Sequence, residues 1–206
     1  LGDSLTAGVG ARCSNILCLA TEYRGVTWDI GGDDNEVTLV NFLKNYNPSI
    51  YGASTGRGTG NTRLNVGVSG AVSRDMPAQA RALVNKFSSD PNVNPADWKV
   101  VNLFIGGNNL CRCCQTRNDP SDPNAPTAYA GHIEEALDII QAGLPNTFVN
   151  VMPIVDIVLL GEVSQSGGFC RTLLGSLCPC GISTNPADIE YTYNAYKEYV
   201  KLTEEL

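Results

Sequence analysis

Near the start of the chain, Leu1-Gly2-Asp3-Ser4-Leu5-Thr6-Ala7-Gly8 sets one serine in an acidic-polar corner between two glycines. Glycine frees the backbone to turn sharply and lets a second backbone or a substrate approach. A serine at a strand-to-helix corner exposes its hydroxyl and aims its own N–H outward. That is the geometry of acyl transfer, where an attacking oxygen and an oxyanion donor converge on one carbonyl. The same residue types also build an ordinary surface turn, so the octet alone leaves both readings open. Two later stretches add to it: Asn65-Val66-Gly67-Val68-Ser69-Gly70 and Ile105-Gly106-Gly107-Asn108-Asn109, each at the end of a β-like apolar run. The sole histidine, His132, lies beside Ile133 in a helical stretch. A base for serine needs a carboxylate partner and reach to the hydroxyl, so His132 reads as a helix histidine rather than a displaced base.

Such residues need strands to present them and helices to cover those strands. Lys99 to Ile105 (KVVNLFI) reads as a buried strand of parallel-sheet type, ending at Gly106. Thr147 to Met152 reads as the next strand, and Arg63 to Val68 as the strand that delivers Gly70. A short helix begins near Leu5, and another is expected from Glu36 to Tyr46, closed by Pro48. Met76 to Phe87 places Ala80, Leu83, Val84 and Phe87 on one face; Ala128 to Leu144 does the same with Ile133, Ala136, Leu137 and Ile140. Ala187 to Leu206 is expected as a helix with Ile189, Tyr193, Tyr196 and Val200 on its inner side. Cys111 to Pro126 reads as a loop and Val163 to Gly181 as irregular. The glycines from Gly52 to Gly60 lack a following Gly-Lys-Ser/Thr, which argues against a phosphate cradle. Strands alternating with helices predict an α/β fold with a parallel sheet covered on both faces.

Size and charge narrow the function. At 206 residues the chain is expected to form a single domain, residues 1–206, with a substantial core. Fourteen Lys and Arg against 21 Asp and Glu give a net charge of −7, with no basic tract. Nucleic acid is therefore an unsuitable partner. The longest apolar candidate, Phe148 to Leu160, is short and broken by Asn150, Pro153 and Asp156. Eight cysteines point to an oxidising compartment. Eight thiols allow about 105 pairings; local bridges Cys13–Cys18 and Cys111–Cys114 are the expectation. A zinc site from Cys111, Cys113, Cys178 and Cys180 is the weaker reading, since no matched pair of C-x-x-C spacings frames it.

The three ordered stretches resemble those of the GDSL lipase/esterase family, also called SGNH hydrolases. Leu1 to Gly8, Ile105 to Cys114 and Leu177-Cys178-Pro179-Cys180 are similar to its animal phospholipase B-type branch, and the likeness runs along most of the chain. The resemblance implies a three-layer α/β/α sandwich with a mostly parallel central sheet. It assigns Ser4 as nucleophile, with an oxyanion hole from the N–H of Ser4, the N–H of Gly70 and the side-chain amide of Asn108. Where the family usually has Asp after that asparagine, this chain has Asn109. In the family the nucleophile follows a full strand and an Asp-x-x-His motif lies near the C-terminus. Only three residues precede Ser4, and nothing from Ala187 to Leu206 matches that motif. The expectation is thus a fragment lacking the first strand and the final catalytic segment. The implied function is hydrolysis of acyl esters of phospholipids or related lipids, without cofactor or metal. The implied setting is extracellular, with membrane contact through the substrate or the missing segments. The alternatives are a non-catalytic secreted structural or binding protein that keeps the SGNH fold, and an esterase for acetylated glycans.

Overall fold

The computed structural model describes residues 1–119, 121–163 and 168–206, without the side chains of residues 163 and 168–170. Two runs of apolar and β-branched residues form its sheet: β1 (Lys99–Phe104) and β2 (Thr147–Met152). They pair in parallel, Lys99 opposite Thr147 and Phe104 opposite Met152. On the other side of β1, Gly2 bridges Phe104 in parallel. The Leu1 amine donates to the Asn102 carbonyl at 2.7 Å, and the Phe104 N–H donates to the Leu1 carbonyl at 3.1 Å. Beyond Gly2 comes Val68, whose N–H donates to the Gly2 carbonyl at 3.0 Å. The order across the sheet is therefore β2, β1, residues 1–2, then the 65–70 stretch.

Helices α1 (Ser4–Ala7), α2 (Leu39–Leu43), α3 (Met76–Ser89), α4 (Gly107–Thr116), α5 (Pro126–Gly143), α6 (Leu159–Val163), α7 (Gly168–Leu177) and α8 (Pro186–Glu205) complete the α/β fold. The buried faces of α3 and α5 are as predicted: Ala80 and Leu83 on the one, Ile133, Ala136 and Ile140 on the other. They join Val101, Leu103 and Ile105 in one core.

Four expectations are corrected. The predicted strand at Arg63–Val68 forms no ladder: Arg63 and Leu64 lie in a turn, with Arg63 at φ +48°, and the neighbour that Val68 meets is only Leu1–Gly2. The predicted helix from Glu36 begins at Leu39: Asn35 has φ +64°, and the Thr38 side chain caps the helix by accepting the Asn41 N–H at 3.1 Å. Cys111 to Pro126 is not all loop, since burial of Leu110, Cys111 and Cys113 outweighs the weak helix propensity of Asn and Cys in α4. Within the stretch expected to be irregular, Gly168–Leu177 is helical; residues 164–167 lie outside the described ones. In addition, α8 is rotated from its predicted face. Its buried positions are Thr192, Ala195, Tyr199 and Thr203, with Tyr199 stacked on Tyr129 at 4.0 Å between ring centroids.

The Cys13–Cys18 bridge forms as predicted. Cys111–Cys114 does not; Cys111 bonds Cys178 and Cys114 bonds Cys180. Placing both cysteines on one helix turns them together toward the 178–180 tail, which the loop reading concealed. Three sulfurs of the zinc set are thereby consumed. Cys113 remains a buried thiol whose pKa burial raises to about 11. Among the described residues, no helix is long and apolar enough to cross a membrane.

Candidate active site

Ser4 is the first residue of α1, just past the end of β1 to which Gly2 is bonded. Asp3 caps the helix: its Oδ1 accepts the Leu5 N–H at 2.9 Å. A four-residue helix is marginal by itself, and glycines close both ends of this one. Gly2 packs so tightly that a Cβ there would stand 2.5 Å from the Phe104 carbonyl oxygen. Gly8 terminates α1 in the left-handed region at φ +71°. Ser4 is half-buried, between buried Asp3 and exposed Leu5. The Asp3 carboxyl is pushed above its ordinary pKa by burial, against the opposing pull of the Leu5 N–H.

Gly70 follows Val68 at the same end of the sheet, exposed, with φ +81°. A Cβ there would meet no atom within 4 Å, so the backbone conformation rather than crowding calls for glycine. Asn108 lies in the first turn of α4, four residues past β1. Its Nδ2 donates to the Ala71 carbonyl at 2.8 Å, tying it to the residue after Gly70. An amide nitrogen carries two N–H groups, so this bond orients the side chain and leaves one N–H for a ligand. The stretches holding Ser4, Gly70 and Asn108 thus meet at the C-terminal end of β1, where open parallel sheets bind their ligands. Next to Gly70, Val68, Ala71, Ala78 and Ala82 line an open depression of about 400 Å³. A larger cavity, about 560 Å³, runs beside Lys99–Asn102 and is also lined by Leu1, Thr6 and Asn65; Ser4, Gly70 and Asn108 are not among its lining residues.

Behind these residues lies a polar network in which Asn65 and Asn109 of the quoted stretches meet partners that the sequence does not announce. Arg24, only 4% exposed, donates from Nη1 to Asn65 Oδ1 at 3.1 Å and from Nη2 to the Gly67 carbonyl at 2.9 Å. Its Nε donates to Glu22 Oε2 at 2.8 Å, and the other Glu22 oxygen accepts from Ser69 Oγ at 2.8 Å. Asn65 in turn donates to the Thr6 carbonyl at 2.8 Å. Arg24 therefore connects the loop leading to Gly70 with the helix carrying Ser4. Asn109, 1% exposed, accepts the Ser73 N–H at 2.8 Å. It also donates to Ser73 Oγ and to Asn124 Oδ1, each at 3.2 Å. A carboxylate could accept the first of these bonds but could donate neither of the others, so the amide suits its surroundings. His132 shares a 3.1 Å hydrogen bond with Ser73 Oγ through Nδ1. Ser73 is fully buried and closed to an ester. The histidine thus fastens α5 to the loop after Gly70, in keeping with its reading as a helix residue.

A model of the GDSL-like Lipase/Acylhydrolase family matches residues 1–204. Among curated proteins the chain is similar to "Phospholipase B1, membrane-associated" of Homo sapiens, 44% identical over 185 residues, 87% of this chain and 12% of that protein. The Mus musculus protein of that name is 40% identical over 208 residues, 98% of this chain and 13% of its own length. The Rattus norvegicus protein is 38% identical over 219 residues, 100% of this chain and 15% of its own. The chain therefore spans about an eighth of the length of these relatives. No solved structure matches it. With the family's pattern running from the first residue to residue 204 and its three motifs meeting at one end of a parallel sheet, the chain belongs to the GDSL-like lipase/acylhydrolase family.

Proposed function

We propose that this chain is the core of an extracellular serine ester hydrolase acting on acyl esters of phospholipids or related lipids. The observation that carries this reading is the bond from Asn108 Nδ2 to the Ala71 carbonyl, at the sheet end where Gly2 meets both Phe104 and Val68. Ser4 Oγ attacks the ester carbonyl carbon, and the carbonyl π electrons move onto oxygen. That oxyanion is held by the N–H groups of Ser4 and Gly70 and the amide of Asn108. The serine proton passes to a base and from it to the departing alcohol, leaving an acyl-Ser4 ester that water hydrolyses. Losing one oxyanion donor typically costs about 100- to 1,000-fold in turnover.

We assign the base to an Asp-x-x-His segment such as the family carries, because His132 is engaged with Ser73. Without such a base, a serine hydrolase keeps only about 1,000- to 10,000-fold acceleration over water. The three disulfides among the described residues suit an oxidising, extracellular setting. Lipid is favoured over acetylated glycan by the apolar lining beside Gly70 and by the phospholipase names of the relatives. A fluorophosphonate probe applied to the intact native protein tests the assignment: labelling is expected at Ser4 and absent in Ser4→Ala. No labelling in the intact protein would favour a non-catalytic member of the fold. The 206-residue chain turning over an activated ester at ordinary enzyme rates would refute the external base.

A further inference from the structure

The ribbon that leaves α1 ends in an apolar tip for which the chemistry above has no use. Val9 and Glu22 pair as an antiparallel bridge, the Tyr23 N–H donates to the Gly8 carbonyl at 2.8 Å, and the Gly10 N–H donates to the Thr21 carbonyl at 2.9 Å. The Cys13–Cys18 disulfide closes the far end. There Ile16–Cys18 forms one 3-10 turn, and Leu17 is 91% and Ile16 65% exposed. Leu5, beside Ser4 at the root of the ribbon, is also exposed.

Three observations bear on what covers this tip. First, residues 13–21 carry no charged side chain in a chain of net charge −7, and the flanking charges are engaged, Arg12 with Glu36 and Glu22 with Arg24. Second, several of the tip's backbone donors are satisfied within the loop: Leu17 N–H by Asn15 Oδ1 at 3.0 Å, Thr21 N–H by the Cys18 carbonyl at 2.9 Å, Cys13 N–H by the Gly10 carbonyl at 2.9 Å. Low-dielectric surroundings therefore leave those donors paired. Third, the bridge holds the loop in shape, so little ordering entropy is lost on contact.

We propose that Ile16 and Leu17 insert at the headgroup–acyl boundary of a zwitterionic phospholipid surface and hold the Ser4 end of the sheet against it. An uncharged tip on an acidic protein suits zwitterionic rather than anionic lipid, which the rest of the surface would repel. Binding itself depends only on the tip; its use in delivering an ester to Ser4 rests on the hydrolase reading.

The test is sedimentation of the 206-residue chain, disulfides intact, with phosphatidylcholine vesicles. The pair Ile16→Ser/Leu17→Asp is expected to lower partitioning by about 10- to 100-fold, given the apolar area removed. Ile16→Ala/Leu17→Ala should fall between, separating lost area from added charge. Val37→Asp, at an exposed valine off the tip and next to the Arg12 partner Glu36, serves as the control for nearby charge and should leave partitioning unchanged. Wild-type chain that fails to sediment with vesicles, a tip pair that binds as well as wild type, or equal loss in Val37→Asp overturns the proposal. So does self-association through the tip in the absence of lipid. Fluorophosphonate labelling of Ser4 in the intact native protein is scored separately. Its failure alongside tip-dependent vesicle binding would sink the hydrolase reading and leave the anchor standing.

Discussion

Replacing Arg24 with methionine keeps most of the aliphatic stem and removes the guanidinium. Arg24 and Glu22 have side chains only 5% and 17% exposed, so solvent does little to screen the pair. Three hydrogen bonds are lost, to Asn65, Gly67 and Glu22. Bonds to charged groups contribute about 1.5–3 kcal/mol each, but their sum overstates the effect, since water recovers part of it. Removing one partner of a buried pair typically costs about 3–5 kcal/mol, and that is the value expected for Arg24→Met. For a chain of this size it corresponds to a fall in Tm of roughly 6–20 °C. Thermal and urea unfolding measure it directly. Much of the loss comes from stranding the Glu22 carboxylate, so Arg24→Met/Glu22→Gln should be more stable than additivity predicts, by about 1–2 kcal/mol. The fluorophosphonate reaction at Ser4 should also slow in Arg24→Met, because Asn65 loses the partner that holds it against Thr6. A single variant within about 1 kcal/mol of wild type, or strict additivity in the double variant, would refute the account of Arg24 as the clamp between these two segments.

The Asp3 carboxyl titrates above its ordinary value because burial disfavours the charged form. A folded pKa above the unfolded one means that its contribution is full at low pH and is lost as pH rises through the folded value. Asp3→Asn keeps an N-cap acceptor and should flatten that dependence, visible as a smaller decline in Tm from mildly acidic to neutral pH. Tyr199 donates to the Asn124 carbonyl at 2.7 Å inside the core, so Tyr199→Phe should cost about 1–2 kcal/mol in chemical denaturation. The Cys111–Cys178 and Cys114–Cys180 disulfides overlap in sequence, so Cys114→Ser/Cys180→Ser leaves Cys111–Cys178 closing almost the same loop. Chain-entropy reasoning gives about 2 kcal/mol for losing one bridge and about 6 kcal/mol for losing both; equal steps would contradict it. An apolar strand joined ahead of Leu1, as the family's first strand would be, would run into the 560 Å³ cavity beside Lys99–Asn102. Such an extension should raise Tm, and an unchanged Tm would count against that location.

Periodicity located β1, β2, α3 and α5 because their apolar spacing reports one buried face, and that face is decided locally. It misled at α8, where the residues facing inward are Thr192, Ala195, Tyr199 and Thr203 rather than the more apolar Ile189 and Val200. There the hydroxyls find partners, as when Thr203 Oγ1 donates to the Tyr199 carbonyl at 2.7 Å, so polarity stopped marking the outside. α4 was hidden because its cysteines and asparagines are weak helix formers that are held by disulfides and by Ser73. The segments bearing Ser4, Gly70 and Asn108 were legible through motif order. The partners of Arg24, Asn65 and Asn109 were not, since the role of a buried guanidinium or amide is recognisable only once its acceptors, up to 59 residues away, are in place.

The paired bridges from α4 to the 178–180 tail also determine how the chain answers to tension. Pulled at its two ends, it cannot extend through the stretch between Cys111 and Cys178, which is bypassed by a single covalent shortcut. At about 3.5 Å per extended residue, the 67 residues of sequence separation conceal roughly 230 Å of reach. A reductant would release that slack, so a tether made from this chain lengthens in steps governed by thiol chemistry rather than by force alone.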